Sequence, residues 1–510
     1  MKHFSKKAEN SPDKIAVIFD DNVALSYAQL NKASIAFGNY MQHLGVDSSK
    51  PVAVLMENRY EYIVCALTLL RMGMQLVPIN SHLKQAEITY IVTDSDAALL
   101  ITSDLYKDVC KNLSLTILNV DDEKVWGAIK RKFESTFSVE YAFKQSEGQV
   151  LFYSSGTTGK PKGILRPVND RPFGTPAPIE EFLSNYYKFD CQSVYLCPAP
   201  LYHAAPLNWT LSVLRYGGCV VVMPKFDAEN ALRLIDTYKV DVTQFVPTMF
   251  VRMLSLSTTI KQRYSQSSLR IVAHAGAPCA PEIKHKMIDW WGMIIHEYYA
   301  GSETNGLTAI TPEEWLEHPG SVGKAVLGEL HICNEHGVPE VAGTTGQIYF
   351  SGLPPFSYKG DERKTQEAYN EKGWSTLGDI GYIDAEGFLY LKDRKNFMII
   401  SGGVNIYPLE VENTLMSYDL ILDVAVVGVP HEELGEEVVA VIQLHDYYNK
   451  SPQLANEIIE FCREKIAHFK CPKRVVFTTE LPRLPNGKLL KRHIKDNLLE
   501  AISSKKEIKR

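Results

Sequence analysis

The sequence predicts an α/β protein. A large N-terminal domain, made of parallel-sheet α/β subdomains and a β-rich subdomain, precedes a small α/β domain. Three observations support this class. With 510 residues, the chain is too long to fold around a single core. Apolar β-type runs alternate with helix-like segments through most of the chain, which is typical of parallel sheets covered by helices. Between Gly323 and Leu391, glycines separate shorter, hairpin-like strands, which predicts the β-rich part.

Each predicted element rests on a local pattern. We predict helices where apolar residues recur at helical spacing and buried strands where apolar residues run together. In chain order the elements are helix 25–44, strand 51–56, helix 57–72, strand 75–79, strand 219–222, helix 228–238, strand 241–246, a strand near 397–400, helix 408–416, strands near 424–429 and 438–444, and helix 453–465. A charged run at 392–396 separates two apolar strands, so we place the domains at 1–394 and 395–510.

Composition argues against several classes of protein. The net charge of −6 gives no basic surplus for binding nucleic acid. Nine cysteines, an odd number without a C-x-x-C pair, argue against a disulfide framework and predict a reducing, cytoplasmic location. The first residues turn polar at once, which predicts no signal peptide. The longest apolar run, 63–70, is too short to span a bilayer, so any membrane contact would be peripheral.

A cluster of hydrogen-bond donors lies between residues 154 and 163. It reads Ser154-Ser155-Gly156-Thr157-Thr158-Gly159-Lys160-Pro161-Lys162-Gly163. The glycines let backbone N–H groups converge, and the hydroxyls and lysines add donors and positive charge, so the stretch predicts a cradle for nucleotide phosphates. It does not fit the Walker A pattern, because Pro161 stands where Ser or Thr should follow the lysine. A strand–loop–strand arrangement fits better, and an ordinary surface turn is the alternative.

Four further segments have the composition of site loops. They combine glycines with an acid, a hydroxyl or a lysine: Tyr298-Tyr299-Ala300-Gly301-Ser302-Glu303, Gly373-Trp374-Ser375-Thr376-Leu377-Gly378-Asp379, Ser401-Gly402-Gly403-Val404-Asn405 and Leu481-Pro482-Arg483-Leu484-Pro485-Asn486-Gly487-Lys488. Taken singly, each segment reads equally well as a strand end or a tight turn.

In this order and at these distances, the segments resemble the adenylate-forming superfamily, which includes acyl-CoA synthetases, non-ribosomal peptide adenylation domains and firefly luciferase. The resemblance runs from about Tyr27 to Arg492. It implies the two domains drawn above, with the small C-terminal one mobile. It also implies ATP, Mg²⁺ and coenzyme A as cofactors and a small carboxylic acid as substrate.

The resemblance implies an ATP site built from several groups of residues. They are the loop around the β- and γ-phosphates (Ser154, Ser155, Gly156, Thr157, Thr158, Gly159, Lys160), the α-phosphate contact Ser302, the Mg²⁺ ligand Glu303, the ribose pair Asp379 and Arg394, and the adenine pocket Gly276, Ala277, Pro278 and Tyr299. The chemistry is consistent, because a vicinal diol suits a carboxylate acceptor beside an arginine donor.

The resemblance also implies catalytic and coenzyme A residues. Lys488 matches the adenylation lysine, and Lys488 and the Mg²⁺ that Glu303 would hold would counter the negative charge that builds up at the α-phosphate. His203 matches a position beside the acyl carboxylate, with its proton chemistry open. Gly402 and Gly403 match a loop that lines the pantetheine tunnel, where a slender thiol arm passes close to the backbone.

The sequence departs from the family pattern in three places. The usual Tyr-Gly-x-Thr-Glu reads Tyr-Ala-Gly-Ser-Glu at 299–303, Leu377 replaces a threonine near the ribose, and Asn396 stands at a hinge position where Asp or Lys is common. The first two changes are tolerable, and the third bears on the energetics of domain rotation.

The sequence therefore predicts an AMP-forming acyl-CoA synthetase. Two alternatives stay open: a stand-alone adenylation enzyme that loads an acyl carrier protein, and a non-catalytic nucleotide sensor, against which the retained Glu303, Asp379 and Lys488 weigh. The predicted acid-pocket segments 207–209, 245–249 and 273–276 are apolar, and no Asp is placed to hold an ammonium group. This favours a fatty acid, or a bulkier sterol- or bile-acid-type substrate, over an amino acid.

Overall fold

The structure, a computed structural model, describes residues 3–134, 140–154, 161–167, 171–445, 450–484 and 487–507, without the side chains of residues 394, 395 and 502–507. The strands are β1 Ile15–Phe19, β2 Val23–Ser26, β3 Val52–Leu55, β4 Gln75–Pro78, β5 Leu99–Thr102, β6 Thr116–Asn119, β7 Gln149–Val150, β8 Tyr153–Ser154, β9 Lys162–Leu165, β10 Val194–Cys197, β11 Cys219–Val222, β12 Val242–Phe245, β13 Ile271–His274, β14 Ile295–Ala300, β15 Leu307–Ile310, β16 Lys324–Leu327, β17 Glu329–Cys333, β18 Gly346–Ser351, β19 Ser357–Tyr358, β20 Asp379–Ile383, β21 Leu389–Arg394, β22 Ile399–Ser401, β23 Val404–Ile406, β24 Ile421–His431, β25 Gly435–Leu444 and β26 Arg474–Thr478. The helices are α1 Phe4–Asn10, α2 Tyr27–His43, α3 Tyr60–Arg71, α4 Gln85–Ser95, α5 Lys107–Cys110, α6 Ala128–Glu134, α7 Pro178–Tyr187, α8 Ala204–Tyr216, α9 Ala228–Tyr238, α10 Pro247–Leu254, α11 Thr258–Arg263, α12 Pro281–Trp291, α13 Pro312–Glu317, α14 Glu362–Glu367, α15 Pro408–Leu415, α16 Pro452–Lys465 and α17 Lys491–Glu507.

Two sheets rich in parallel strands form most of the N-terminal part. The nine-stranded sheet has the order β16-β15-β14-β13-β12-β10-β11-β1-β2, and its central strands from β14 to β1 run parallel. The five-stranded sheet β6-β5-β3-β4-β7 is parallel throughout. One buried core joins both sheets, and it contains Phe37 of α2 and Leu69 of α3. The alternation of apolar strands and helices therefore does produce parallel sheets covered by helices.

The β-rich part follows these sheets in the chain. Strands β17, β18, β20 and β21 form an antiparallel four-stranded sheet. Strand β19 forms a small antiparallel sheet with β9 and β8, which come much earlier in the chain. The last sheet, β23-β22-β25-β24 with β26 beside β25, packs against α15, α16 and α17. The predicted fold class, with parallel α/β subdomains, a β-rich part and a small C-terminal α/β unit, is confirmed.

Some predicted boundaries were wrong by a few residues. The helix predicted from residue 25 begins at Tyr27, because Ser26 ends β2 and caps α2 through reciprocal hydrogen bonds with Gln29. The helix predicted from residue 57 begins at Tyr60. Residues 395–397 form a 3₁₀ turn, so the strand predicted near 397–400 starts only at Ile399.

Four loops meet at one edge of the nine-stranded sheet. Loops 198–203, 275–278 and 301–304 directly follow β10, β13 and β14, and the short connection at Val246 follows β12 and leads into α10. These strands are parallel neighbours, so their carboxyl ends lie side by side, which is where open α/β sheets bind ligands. Among the described helices, none combines the length and the apolar character needed to cross a membrane.

Candidate active site

A cleft of about 2350 Å³ opens where these four loops face the C-terminal part of the chain. Its lining brings together most of the residues that the sequence placed in a site: Ser154, His203, Gly276, Ala277, Pro278, Tyr299, Ser302, Glu303, Asp379 and Lys488. Gly402 and Gly403 do not line it. Ser155, Gly156, Thr157, Thr158, Gly159 and Lys160 lie outside the described residues, as does the side chain of Arg394.

Asp379 and Arg394, the proposed ribose pair, are direct neighbours across two strands. Asp379 opens β20 and is paired in register with Arg394 at the end of β21. The Asp379 carboxylate is buried, and Tyr299 Oη donates a hydrogen bond to its Oδ2 at 2.6 Å. This bond fixes one carboxylate oxygen and orients the Tyr299 ring at the edge of the proposed adenine pocket.

The proposed adenine pocket has a glycine turn on one side and a buried ion pair on another. Gly276 has a φ of +85°, which a residue with a side chain rarely adopts, so the turn after β13 favours glycine. Glu297, two residues before Tyr299 on the same face of β14, also lines the cleft. Its Oε2 accepts a hydrogen bond from Lys284 Nζ at 2.8 Å, and both side chains are buried.

Glu303, the proposed metal ligand, is half-buried and interacts with one aromatic and one basic neighbour. Tyr358 Oη donates to Glu303 Oε1 at 2.9 Å. Arg166, whose guanidinium donates to the Ser302 carbonyl at 2.7 Å, interacts electrostatically with the Glu303 carboxylate. No group of three or more His, Cys, Asp or Glu that could hold a metal by itself occurs among the described residues. One carboxylate supplemented by nucleotide phosphates is the usual mode for Mg²⁺, and this donor set fits it.

The proposed phosphate loop connects two antiparallel strands. Tyr153 pairs with Gly163 and Ser154 with Lys162, so the loop is closed at its base by β8 and β9. The strand–loop–strand prediction is confirmed at these ends. Lys162, which the sequence counted among the phosphate donors, instead forms an ion pair with Asp361. Phosphate binding by the intervening residues 155–160 stays a prediction, because these residues lie outside the described part of the chain.

His203 occupies the N-cap position of α8, next to the proposed acid site. The loop that carries it is fixed by Asn58, whose buried side chain donates to the carbonyl of Ala199 at 3.0 Å and accepts from the N–H of Leu201 at 2.8 Å. His203 Nε2 is buried and meets no hydrogen-bond partner among the described residues. Burial lowers the pKa of His203 to about 3, so its imidazole is neutral at physiological pH.

Lys488 reaches the cleft on a turn that is fixed at both ends. Arg483 pairs with Asp423 at 2.7 Å and also donates to the Gly487 carbonyl at 2.7 Å. Gly487, with a φ of +79°, packs so closely that a Cβ there would lie 2.6 Å from Thr248 Oγ1. The turn therefore favours glycine where it packs against the first turn of α10. Pro485 and Asn486 of the predicted Pro-Asn-Gly turn lie outside the described residues.

Gly402 and Gly403 lie on an exposed hairpin of the C-terminal unit. They connect β22 and β23, where Ser401 pairs with Val404, and both glycines have positive φ, at +58° and +78°. Two positive φ values in a two-residue hairpin loop are the pattern that favours glycine pairs, so the predicted turn is confirmed. Both residues are exposed, on a part of this unit that does not line the cleft.

An ion cluster joins the two parts of the chain close to residue 394. Lys491, at the start of α17, contacts Asp393 of β21 at 3.3 Å and Glu412 of α15 at 2.9 Å. The N–H of Leu409, in the first turn of α15, donates to the same Asp393 carboxylate at 3.3 Å. All three charged side chains are largely buried, so the cluster ties the β-rich part to the C-terminal unit in this arrangement.

The sequence reasoning missed most residues that hold the proposed site groups in place. Tyr358 contacts Glu303 and Arg483 contacts Asp423 across 55 and 60 residues of the chain, so no local pattern links these partners. One signal was available. Gln244 is a polar residue within the apolar run 241–246, and it is buried yet lines the cleft.

Comparison with known proteins agrees with this geometry. The model for AMP-binding enzymes matches residues 4–356, and the model for their C-terminal domain matches residues 410–488. The 2-succinylbenzoate–CoA ligase of Bacillus licheniformis is 30% identical over 496 residues, covering 95% of this chain and 97% of that protein. The corresponding ligase of Bacillus cereus is 29% identical, covering 96% of this chain and 97% of that protein.

Solved structures give the same result. The o-succinylbenzoate CoA synthetase of Bacillus subtilis, in complex with its acyl-adenylate intermediate, superposes with a TM-score of 0.82 at 26% identity, covering 96% of this chain and 97% of that chain. ATP-bound MatB from Rhodopseudomonas palustris superposes with a TM-score of 0.83 at 25% identity, covering 97% and 99%. The fold and the cleft thus define an adenylate-forming enzyme. The chain belongs to the AMP-binding enzyme family, as the sequence resemblance predicted.

The neutral state of His203 gives a prediction for pH dependence. With a pKa of about 3, the imidazole does not titrate between pH 5.5 and 8.5, so its ionisation leaves no inflection in the rate of acid-dependent pyrophosphate release. We expect His203→Asn to lower kcat/KM for the acid by about tenfold, the cost of one hydrogen bond, without changing the shape of the pH profile. A wild-type inflection near pH 6.5 that the variant lacks would contradict this.

Proposed function

We propose that this protein activates a carboxylic acid with ATP to form an acyl-adenylate and pyrophosphate, and then transfers the acyl group to coenzyme A. The observation that carries the proposal is the convergence of Lys488, Glu303 and Asp379 on the cleft that also contains His203. These groups come from distant parts of the chain, and each has the chemistry that one portion of the reaction needs.

In this proposal the nucleotide is held by opposed groups. Asp379 accepts from the ribose hydroxyls, and the Gly276 turn and Tyr299 enclose the adenine. Lys488 donates to the α-phosphate region as the carboxylate approaches, which stabilises the charge of the transition state. Glu303 would hold Mg²⁺ together with the phosphates, and the ion would neutralise part of their charge. Neutral His203 donates a hydrogen bond to the acid without adding charge.

We further propose that residues 395–510 form a mobile domain that serves both half-reactions. Lys488 lies in the cleft while Gly402 and Gly403 lie away from it, so the arrangement suits adenylation. Rotation near Asn396 would withdraw Lys488 and bring the glycine hairpin to the cleft, where the pantetheine arm would pass. Coenzyme A is favoured as acceptor because the relatives are CoA ligases by name, and a carrier protein is the second candidate.

For the acid, we propose a cyclic, aromatic-type substrate in place of the fatty acid that the sequence favoured. The relatives named above act on 2-succinylbenzoate, an aromatic acid. In this chain, Trp209 and Tyr298 line the cleft, are buried, and stack with ring centroids 6.4 Å apart. A pair of flat, fixed rings suits a flat acyl group, whereas an extended alkyl chain would need an open tunnel at this position.

A panel of acids tests the proposed substrate class. Purified protein with ATP, Mg²⁺ and coenzyme A is given benzoates, phenylacetates, 2-succinylbenzoate, and fatty acids of graded length, and AMP is measured. We expect an aromatic acid to give a kcat/KM at least about tenfold above every fatty acid, equivalent to about 1.4 kcal/mol. A steady increase with alkyl length would contradict the aromatic class, and ATP turnover independent of any acid would contradict the ligase.

Lys488→Ala tests the division between half-reactions. We expect acid-dependent ATP–pyrophosphate exchange to fall by at least about 100-fold, the usual effect of removing one transition-state donor. Conversion of supplied acyl-adenylate and coenzyme A to thioester should stay within about threefold of wild type, because Lys488 leaves the cleft for that step. Equal loss in both assays would contradict the proposed domain rotation. Lys495→Ala, which removes a lysine of the same unit paired with Glu436, is the matched control.

A further inference from the structure

One part of the cleft lining lies where α8 packs on the nine-stranded sheet. We call it the acid slot and define it by the cleft-lining residues Leu183, Asn208, Trp209, Gln244, Ala275 and Tyr298. Trp209, Ala275 and Tyr298 belong to the core on the α8 side of the sheet, whereas Phe245 belongs to the core on the other side. Because side chains alternate along a strand, Gln244 faces the acid slot.

The amide of Gln244 has a defined orientation. Gln244 is only 1% exposed, and its Nε2 donates to the carbonyl of Phe245 at 2.7 Å. A carbonyl accepts only, so the nitrogen of the amide must occupy that position and the oxygen must point elsewhere. That oxygen, Oε1, is buried and has no hydrogen-bond partner in the part of the chain that the structure describes.

An unpaired buried acceptor is costly, and a bound ligand can remove that cost. A buried polar atom without a partner loses the hydrogen bond that water gives it in the unfolded chain, and nothing replaces that bond. Gln244 lines the same cleft as His203, and the other residues of the acid slot are mostly apolar or aromatic. A donor carried by the acyl group would supply the missing partner.

The charge of the acid slot narrows the ligand further. None of its six defining residues is ionisable as a cation or a carboxylate, so it offers no counter-ion to a second carboxylate or to an ammonium. Lys284 of α12, a buried lysine next to β14, is already paired with Glu297 of that strand. A dicarboxylic acid such as 2-succinylbenzoate would leave one charge buried without a partner, which is unfavourable.

Resting on the ligase activity proposed above, we infer that Gln244 is a specificity-determining residue that selects cyclic monocarboxylic acids carrying a neutral hydrogen-bond donor, a hydroxyl or an aromatic amine. The donor's hydrogen points at Gln244 Oε1 while the carboxylate lies at His203. Acids of the same shape that lack the donor leave Oε1 unpaired in the complex and are activated more slowly.

Substituted benzoates test this selection directly. The full chain is assayed with ATP, Mg²⁺ and coenzyme A on benzoates that carry hydroxyl, amino, methyl or methoxy groups at each ring position, and kcat/KM is taken from AMP formation. We expect kcat/KM for a benzoate with a hydroxyl or amino substituent to exceed kcat/KM for the methyl or methoxy benzoate substituted at the same position by about 10- to 100-fold. 2-Succinylbenzoate should be slower than the best hydroxyl acid.

The variant Gln244→Leu should reduce this preference to within about threefold, because an apolar side chain gains nothing from the donor. Turnover of the methyl acids by the variant shows that it folds, and Gln244→Met gives the same comparison if Leu does not fold. Thr243→Val is the matched control: Thr243 is buried on the same strand but faces the other side, where it donates to the Leu196 carbonyl, so this variant should keep the preference.

The outcomes separate the two proposals. Equal rates for hydroxyl and methyl acids in the wild type, or a preference that survives in Gln244→Leu, would overturn the role of Gln244 and leave the ligase activity standing. A higher rate on 2-succinylbenzoate than on every hydroxybenzoate and aminobenzoate would also overturn the role of Gln244. AMP formation that depends on no acid would overturn the ligase proposal itself.

Discussion

Repulsion between two anions is the constraint on which this cleft depends. A carboxylate must come within bonding distance of an α-phosphate, and two like unit charges about 4 Å apart repel by about 4 kcal/mol at an effective dielectric constant of about 20. The three residues proposed for catalysis, His203, Lys488 and Glu303, would reduce this repulsion because only Glu303 among them carries negative charge. In the proposed reaction, His203 would contact the acid as a neutral imidazole, and Lys488 would bring positive charge from the C-terminal part. Glu303 offers a single carboxylate, enough to hold a metal without adding a cluster of acids.

The position of Lys488 in turn depends on contacts between distant segments. The turn that carries it is braced by Arg483 and Asp423 and seated on Thr248 through a glycine. The cluster of Asp393, Lys491 and Glu412 holds the C-terminal unit against the β-rich part. A domain that is to rotate must break this buried cluster, and breaking a buried pair is expensive unless its members find new partners. In the proposed rotation, the cluster would therefore add to the cost of leaving the arrangement seen in this structure.

Much of the fold could be predicted from the sequence, because its signals are local. The glycine pair at 402–403 and the strand ends around the phosphate loop follow from short patterns, and the apolar alternation specifies the parallel sheets. The failures have two physical causes. Tyr358 and Glu303 lie 55 residues apart, and Arg483 and Asp423 lie 60 apart, so no sequence window contains both partners. The prediction for the acid pocket used the average polarity of whole segments. A strand has two faces, however, and Gln244 and Phe245 are adjacent in sequence but face different cores.

The central claim is that the acid's own oxygen attacks the α-phosphate, and an isotope transfer measures this most directly. The preferred acid, labelled with ¹⁸O in both carboxylate oxygens, is converted with ATP, Mg²⁺ and coenzyme A, and the products are analysed by mass spectrometry. The account predicts one ¹⁸O atom in each AMP and none in pyrophosphate. Label in inorganic phosphate, accompanied by ADP, would show attack on the γ-phosphate and would contradict the account.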